Sequence, residues 1–415
     1  MQQARPGPIA YIVQKFPNLT ITFVYREIQA LRARGMEIAT FSIWKPRRDE
    51  LSQEAVGLME GTFYVFPLNV PHFLGAHLYY LLARPLKYIG TLLLLWRQPG
   101  EGVRGRFRLL YRFAEAVYLA KEMERQKVRH IHAAFASNPA TLALIISRLT
   151  GISFSFAAHA YGVFAAPVLL RQKLMAAKFV IASTRYNKGY LAAQFPDIPM
   201  DKVRVIYHGV SLQHFQPGGR KGDGRPMILC VAQFREKKGL PFLVQACRIL
   251  KAKGHDFECC IVGDGAQRTY LETLIEEYGL QDTVRLEGIV FQEKLRDYYR
   301  RADIFALPSV VASDGDRDGI PVSLIEAMAM GCPAVSTFVS GIPELVEDGW
   351  TGMLVPPGDA AALAKALQAL LRDKGLRRRM GQASRDKVVR QFNIEDSVAQ
   401  VASLFAEELG ESGGS

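Results

Sequence analysis

The sequence predicts an α/β protein of two parallel-sheet domains. Three observations predict it. Apolar, strand-like runs alternate with amphipathic helical segments along most of the chain, which is the βα rhythm of a parallel sheet. A chain of 415 residues exceeds what one ordinary core organises. One Gly/Pro-rich stretch, residues 217–226, stands where it divides the chain in two. Hydrophobic residues make up 49% and charged residues 22%, the composition of a well-packed protein and not of a disordered one.

Residues 9–13 read as a buried strand, 16–22 as a loop, 23–34 as an amphipathic helix ended by Gly35, and 37–43 as the next strand. No GxGxxG follows the first strand, which counts against a standard dinucleotide site. From about 71 to 127 the pattern changes to long helices. Residues 84–129 carry 11 basic and 4 acidic side chains, interleaved with Tyr88, Trp96, Phe107 and Tyr111. Basic side chains beside Leu, Trp and Tyr are what a helix needs to lie on anionic lipid, so an anionic membrane surface is expected as a partner. The plainer reading is a packed helical hairpin with a solvated basic face. Nucleic acid is not expected, because no nucleic-acid motif accompanies the charge.

The rhythm resumes with strand 129–135, helix 139–148, and strand 153–159, which puts His159 at a strand's carboxyl end, where parallel sheets present side chains to ligands. Strands 179–182 and 203–206 follow. After 217–226 come strand 227–231, helix 239–251, strand 257–262, helix 267–278, strand 283–286 and helix 292–300. Strand 303–307 leads to the stretch around which the second half is built, residues 314–331. There Pro321 suits a helix's first turn and Gly331 its C-terminal cap. Backbone N–H groups then gather near Gly319 and Ile320, as a fold holds phosphate or sugar oxygens. Asp318 and Glu326 bracket the turn, about 12 Å apart along a helix, suiting two ends of one extended ligand. Strand 333–336, helix 342–347, strand 351–355, two helices over 360–391 and a last helix over about 394–409 complete the chain.

The net charge of +12 is uneven: residues 1–215 hold 27 Lys and Arg against 12 acids (+15), and the remainder 25 against 28 (−3). The basic half points to an anionic partner. All five cysteines lie in the second half, with no CxxC or Cys/His spacing, and are expected to be reduced; no metal site is expected. No apolar signal region opens the sequence and no apolar run approaches about 20 residues, so the expected place is the cytoplasm, peripheral to the inner face of the cell membrane.

Three turns of the second half fall at strand carboxyl ends: Gln233-Phe234-Arg235-Glu236-Lys237-Lys238-Gly239, Gly263-Asp264-Gly265 and the Asp318–Glu326 turn. Cations beside a helix N-terminus suit a diphosphate, so a nucleotide-diphosphate ligand is expected. With these motifs go Phe16-Pro17 through Glu27, Ile131-His132-Ala133, Phe156-Ala157-Ala158-His159, His208-Gly209-Val210, Asp316-Arg317-Asp318-Gly319-Ile320-Pro321 through Glu326, Gly341-Ile342-Pro343-Glu344 and Gly352-Met353-Leu354-Val355-Pro356-Pro357. Over nearly the whole chain these pieces resemble glycosyltransferase family 4, and most of all its bacterial exopolysaccharide (colanic-acid-type) members.

The resemblance implies the GT-B fold, two Rossmann-like parallel-sheet domains facing each other across a cleft. Residues 1–216 would form an acceptor-binding domain with a basic helical insertion at about 71–128, 217–226 a linker, 227–391 the donor domain, and 392–415 a helix returning to the first domain and a tail. It implies a retaining transferase that moves a sugar from a nucleotide-diphosphate sugar to a glycan or lipid-linked acceptor, with no metal or other cofactor. His159, Asp318 and Lys238 would carry the catalysis. Arg235, Lys238, Gly265, Asp318, Gly319, Ile320, Pro321, Val322 and Glu326 would bind the donor, with Asp318 at the sugar hydroxyls, Lys238 at the diphosphate and Glu326 at the ribose. Thr20, Thr22 and His132 would lie on the acceptor side. The sequence departs from the family pattern at Asp318, usually Glu; at Gln233, where the usual diphosphate arginine is missing and Arg235 is the nearest substitute; at Ile21; and at Gly162, often Asp. The rival reading is a catalytically impaired homologue that binds nucleotide sugar and serves as a partner protein.

Overall fold

A computed structural model describes residues 7–18, 21–51, 53–98, 102–218, 224–290 and 292–410. Among them are thirteen strands in two sheets. The first sheet is built from β1 (Ile9–Lys15), β2 (Ile38–Trp44), β3 (Thr62–Phe66), β4 (His130–Ala133), β5 (Ser153–Ala158), β6 (Val180–Ala182) and β7 (Val203–Val205), in the order β3-β2-β1-β4-β5-β6-β7. The second contains β8 (Met227–Val231), β9 (Glu258–Val262), β10 (Val284–Leu286), β11 (Ile304–Ala306), β12 (Ala334–Thr337) and β13 (Gly352–Val355), in the order β10-β9-β8-β11-β12-β13. Every pairing is parallel. Both sheets are thus wound outward in two directions from a central strand. The order reverses beside β1 in one and beside β8 in the other, the switch points at which doubly wound sheets bind ligands.

The strands predicted from apolar runs are all present, within one or two residues at their ends. β3 is the one the apolar pattern did not predict. It is an edge strand in which only Val65 is fully buried, so its sequence lacks the continuous apolar run of its neighbours. The helical region after β3 resolves into Val70–Ala83, Pro85–Trp96 and Val103–Arg125. The break at Arg84 has a covalent cause: Pro85 supplies no N–H and its ring drives the preceding residue out of the helical region, to φ −139°, ψ 53°.

The chain divides into two compact units. One comprises the described residues up to Ala182, Lys188–Ile206 and those from Val398 on; the other comprises Ser183–Asn187 and Tyr207–Ser397. The crossings therefore lie at 182/183, 187/188 and 206/207, upstream of the Gly/Pro-rich stretch 217–226, and at 397/398, well downstream of it; none falls within that stretch, whose residues 219–223 lie outside the described residues. Each unit has its own core, residues of β1, β4, β5 and helix Asn138–Thr150 in the first, and of β8, β9, β11 and helix Val322–Ala329 in the second.

The last helix, Ile394–Leu409, starts in the second unit, where Val210 pairs with Phe392 and Ile394 through the backbone (2.9 and 3.1 Å). From Val398 it belongs to the first unit. Phe405 packs there against Tyr11, His130, His132 and Phe179, with ring centroids 5.4–6.0 Å apart.

Candidate functional site

Charged side chains converge at the switch point of the second sheet. β8 runs into the turn Ala232–Gly239, and β11 into the loop that carries Ser309, Asp316 and Asp318. The two loops are stapled together. Val310 N–H donates to the Lys237 carbonyl at 2.9 Å. The Glu236 carboxylate accepts from the backbone and hydroxyl of Ser313 at 2.9 and 2.8 Å. Gly239 sits at φ +62°, and a Cβ there would lie 1.9 Å from the Pro308 carbonyl oxygen, so no other residue fits.

Inside this frame Lys238 Nζ donates to both oxygens of Asp318 at 2.9 Å. Ser309 Oγ donates to the same carboxylate at 2.8 Å. Lys237 Nζ lies 3.0 Å from Asp316 and 3.7 Å from Asp318, and Arg235 lies 3.9 Å from Asp316 with half its side chain exposed. Both carboxylates are buried. Burial works to raise the Asp318 pKa, but the ammoniums of Lys238 and Lys237, with the bonds from Lys238 and Ser309, outweigh it and hold the carboxyl below its ordinary range. The result is a buried, charge-compensated cluster in which cations and anions face one turn.

The helix Val322–Ala329 begins immediately after this cluster. Pro321 is its N-cap and Gly331, at φ +74°, ends it, one residue removed from the expected positions. Gly319 and Ile320 therefore lie at the helix N-terminus, Val322 is its first residue, and Glu326 lies on its buried face. The Tyr299 hydroxyl donates to Glu326 at 2.9 Å; burial, reinforced by the nearby Glu326 charge, pushes the Tyr299 pKa well up. The turn containing Gly265 is brought alongside: Phe234 N–H donates to the Asp264 carbonyl at 2.8 Å, and Asp264 takes the Gly265 N–H at 2.7 Å. Of the residues expected to bind a donor, the second unit thus gathers Arg235, Lys238, Asp318, Gly319 and Ile320 at one switch point, with Gly265 on the adjoining turn and Glu326 within the helix.

Sequence reasoning missed Lys237, Ser309, Asp316 and Tyr299. Lys237 and Asp316 stood inside quoted motifs, but the signal that selects them, a second Lys–Asp pair beside Lys238–Asp318, shows only when β8 and β11 are neighbours. Ser309 and Tyr299 carried no local signal.

In the first unit His159 ends β5 as expected, with its ring between Phe23 (5.4 Å) and Phe135 (5.1 Å). Elsewhere in this unit the buried Lys173 donates to the carbonyls of Ala136 (2.7 Å) and Ser137 (3.1 Å), and burial lowers its pKa to about 7. Gly162 has a steric reason: a Cβ would come within 2.7 Å of Ser137 N, so an aspartate does not fit this backbone. Thr22 opens helix Thr22–Ala33, whereas Thr20 lies outside the described residues. His132 is 1% exposed, bonded to Ser155 Oγ at 2.8 Å and packed on Tyr11, so its ring is committed to the core and not presented at the surface. Burial, with the charge of His130 second, lowers its pKa to about 3.

Fold and site together define the class: two doubly wound parallel sheets, the fold of GT-B glycosyltransferases. Sucrose-phosphate synthase from Thermosynechococcus elongatus superposes with a TM-score of 0.72 at 23% identity, covering 98% of this chain and 100% of that one. HepE of Anabaena, solved with UDP and glucose, gives 0.71 at 15% identity over 96% and 99%. Residues 213–387 match the family model of glycosyl transferases group 1, and the chain carries a domain of that family. The amylovoran biosynthesis glycosyltransferase AmsK of Erwinia amylovora is 43% identical over 208 residues, 50% of this chain and 51% of its own. WcaL of Escherichia coli, named for colanic acid biosynthesis, is 43% identical over 209 residues, 50% and 52%. The matched stretch thus spans about half the length of these relatives.

Proposed function

We propose that this chain is a retaining glycosyltransferase that moves a sugar from a nucleotide-diphosphate sugar to a lipid-linked saccharide acceptor in exopolysaccharide synthesis. The observation that carries the reading is the Lys238–Asp318 pair, set with Lys237, Asp316 and Ser309 at the switch point of the sheet that lies in the matched domain. Such a site offers a diphosphate two ammoniums, a half-exposed guanidinium and a helix N-terminus, and offers a sugar a carboxylate held ionised.

On this reading the bond from the sugar's anomeric carbon to the diphosphate oxygen breaks as the acceptor hydroxyl oxygen bonds to the same face. The acceptor's proton passes to the departing diphosphate. Lys238, Lys237 and Arg235 take up the leaving group's charge in place of a metal, with Arg235 standing in for the arginine missing at Gln233. Asp318 orients the sugar hydroxyls, Glu326 the ribose, and His159 serves the transferring sugar. Support for the exopolysaccharide setting comes from the names of AmsK and WcaL.

The test is a thermal-shift and turnover screen against UDP-, GDP- and ADP-sugars with metals chelated. The true donor at 100 times its Kd stabilises by about 2.7 kcal/mol. Stabilisation and turnover lost in Lys238→Ala and Glu326→Ala are expected. Stabilisation without turnover on any acceptor would favour the impaired homologue, and no stabilisation of the folded chain by any nucleotide sugar would overturn the reading.

A further inference from the structure

Exposed apolar side chains concentrate on one helical hairpin of the first unit. On Val70–Ala83, Leu74, Leu78 and Leu82 recur every fourth residue and so share one face, with Leu82 72% exposed. On Pro85–Trp96 the stripe is Leu86, Ile89, Leu93 and Trp96, with Leu86 88% exposed. It continues onto Val103–Arg125, because the Trp96 ring meets Phe107 edge-on at 6.1 Å while the Arg106 guanidinium lies 5.8 Å over Trp96. The opposite faces of these helices, through Tyr80, Leu95, Leu109 and Phe113, are already spent on the unit's core. A soluble monomer seldom leaves so extended an apolar surface open to water.

Charge says what covers it. Residues 61–114 contain seven Lys or Arg and one acid, Glu101. Lys87, Arg97, Arg104 and Arg108 are exposed beside the stripe. A second copy of the chain on a two-fold axis would set this cationic border against itself, whereas an anionic lipid surface complements both parts. The shape fits lying on a bilayer and not crossing it. No single helix among the described residues is long and apolar enough to cross a membrane. The pair Val70–Ala83 and Pro85–Trp96 is bent by 108°, and each arm, roughly 18–21 Å long, falls short of a hydrocarbon core of about 30 Å.

We propose that this hairpin docks the protein on an anionic phospholipid bilayer, the leucine stripe and Trp96 at the headgroup–acyl boundary and the bordering cations among the phosphates. The proposal extends the glycosyl-transfer reading by naming the surface on which a lipid-linked acceptor is met. Docking needs no turnover, so the two fail separately.

The experiment is flotation of the full chain with vesicles of phosphatidylcholine alone or mixed with phosphatidylglycerol. Binding to the mixed vesicles is expected, weakened by salt and released by alkaline carbonate. Leu82→Ser with Leu86→Ser, and separately Arg97→Gln with Arg104→Gln, are each expected to lower it about tenfold or more. All four residues are exposed, so circular dichroism and nucleotide binding stay unchanged. Equal binding to both vesicle types, binding retained by both variants, or resistance to carbonate would overturn the proposal. So would light scattering that shows a dimer which Leu86→Ser dissolves without any vesicle binding.

Discussion

Lys238 Nζ lies 2.9 Å from each carboxylate oxygen of Asp318, so the cation proposed for the diphosphate and the anion proposed for the sugar neutralise each other. Donor binding on the proposed reading is therefore an exchange of partners, the ammonium passing to phosphate and the carboxylate to sugar hydroxyls. Lys238→Ala is expected to lower kcat/KM by roughly 10²–10³, the scale of losing one aimed donor at a developing charge. Asp318→Asn keeps the shape and is expected to retain nucleotide affinity by calorimetry while losing sugar transfer. Equal loss of both in both variants would contradict this division of roles.

Tyr299 holds Glu326 from within the core. Tyr299→Phe removes a hydroxyl and leaves a buried carboxylate short of a donor, at a cost of about 1–3 kcal/mol in urea unfolding. The donor KM is expected to rise while kcat changes little, because Glu326 is proposed to read the ribose and not the reacting carbon.

Gly239→Ala adds a methyl where a Cβ would lie 1.9 Å from the Pro308 carbonyl oxygen, at φ +62°. Strain of this kind costs on the order of 1–3 kcal/mol before the clash is counted. A lowered melting temperature with a larger fall in turnover is expected, since relief of the clash moves the two loops that carry Lys238 and Asp318.

The Tyr11 hydroxyl donates to Glu27 at 2.9 Å. A rim of Glu27 stays accessible, yet burial lifts its pKa from 4.5 to about 7 against the pull of the Tyr11 bond. The folded chain then binds more protons than the unfolded one between those values, so this residue makes stability fall as pH rises through the window. Glu27→Gln is expected to remove that fall, read as a urea midpoint at about pH 7, relative to that at about pH 5, that is higher in the variant than in the parent chain.

His130 and His132 work in the opposite sense. Burial first, then the Lys178 charge for His130 and the His130 charge for His132, lowers both from 6.5 to about 3. Unfolding below pH 6.5 lets each take up a proton, so their stability contribution is present above that pH and is lost on acidification, by about 1.4 kcal/mol per pH unit for each histidine. His132→Phe is expected to make the acid limb of the stability curve shallower than in the parent chain, measured by denaturant unfolding.

Much of the fold was legible because buried parallel strands are apolar runs and their helices carry one apolar face, both local patterns. β3 escaped because edge strands need no such run. The short helix Ala160–Phe164 escaped because its one glycine is there for close packing on Ser137, a fact of tertiary structure. In the site, Lys238, Asp318 and Glu326 stood out by residue type and spacing. Asp316 and Lys237 did not, since their pairing depends on β8 lying beside β11, strands more than 70 residues apart. The packing of His132 was not legible because a histidine in a strand looks the same whether it faces a ligand or Phe405, and Phe405 comes from the far end of the sequence.

That last packing sets an order of events in synthesis. All seven strands of the first sheet have been made once Val205 is added, yet the ring that seals Tyr11, His130 and His132 arrives with Phe405, 200 residues later. At ribosomal speeds the gap is roughly 10–40 s. For that interval the nascent first sheet presents an open aromatic seam, and the second unit is built in full before the first can close.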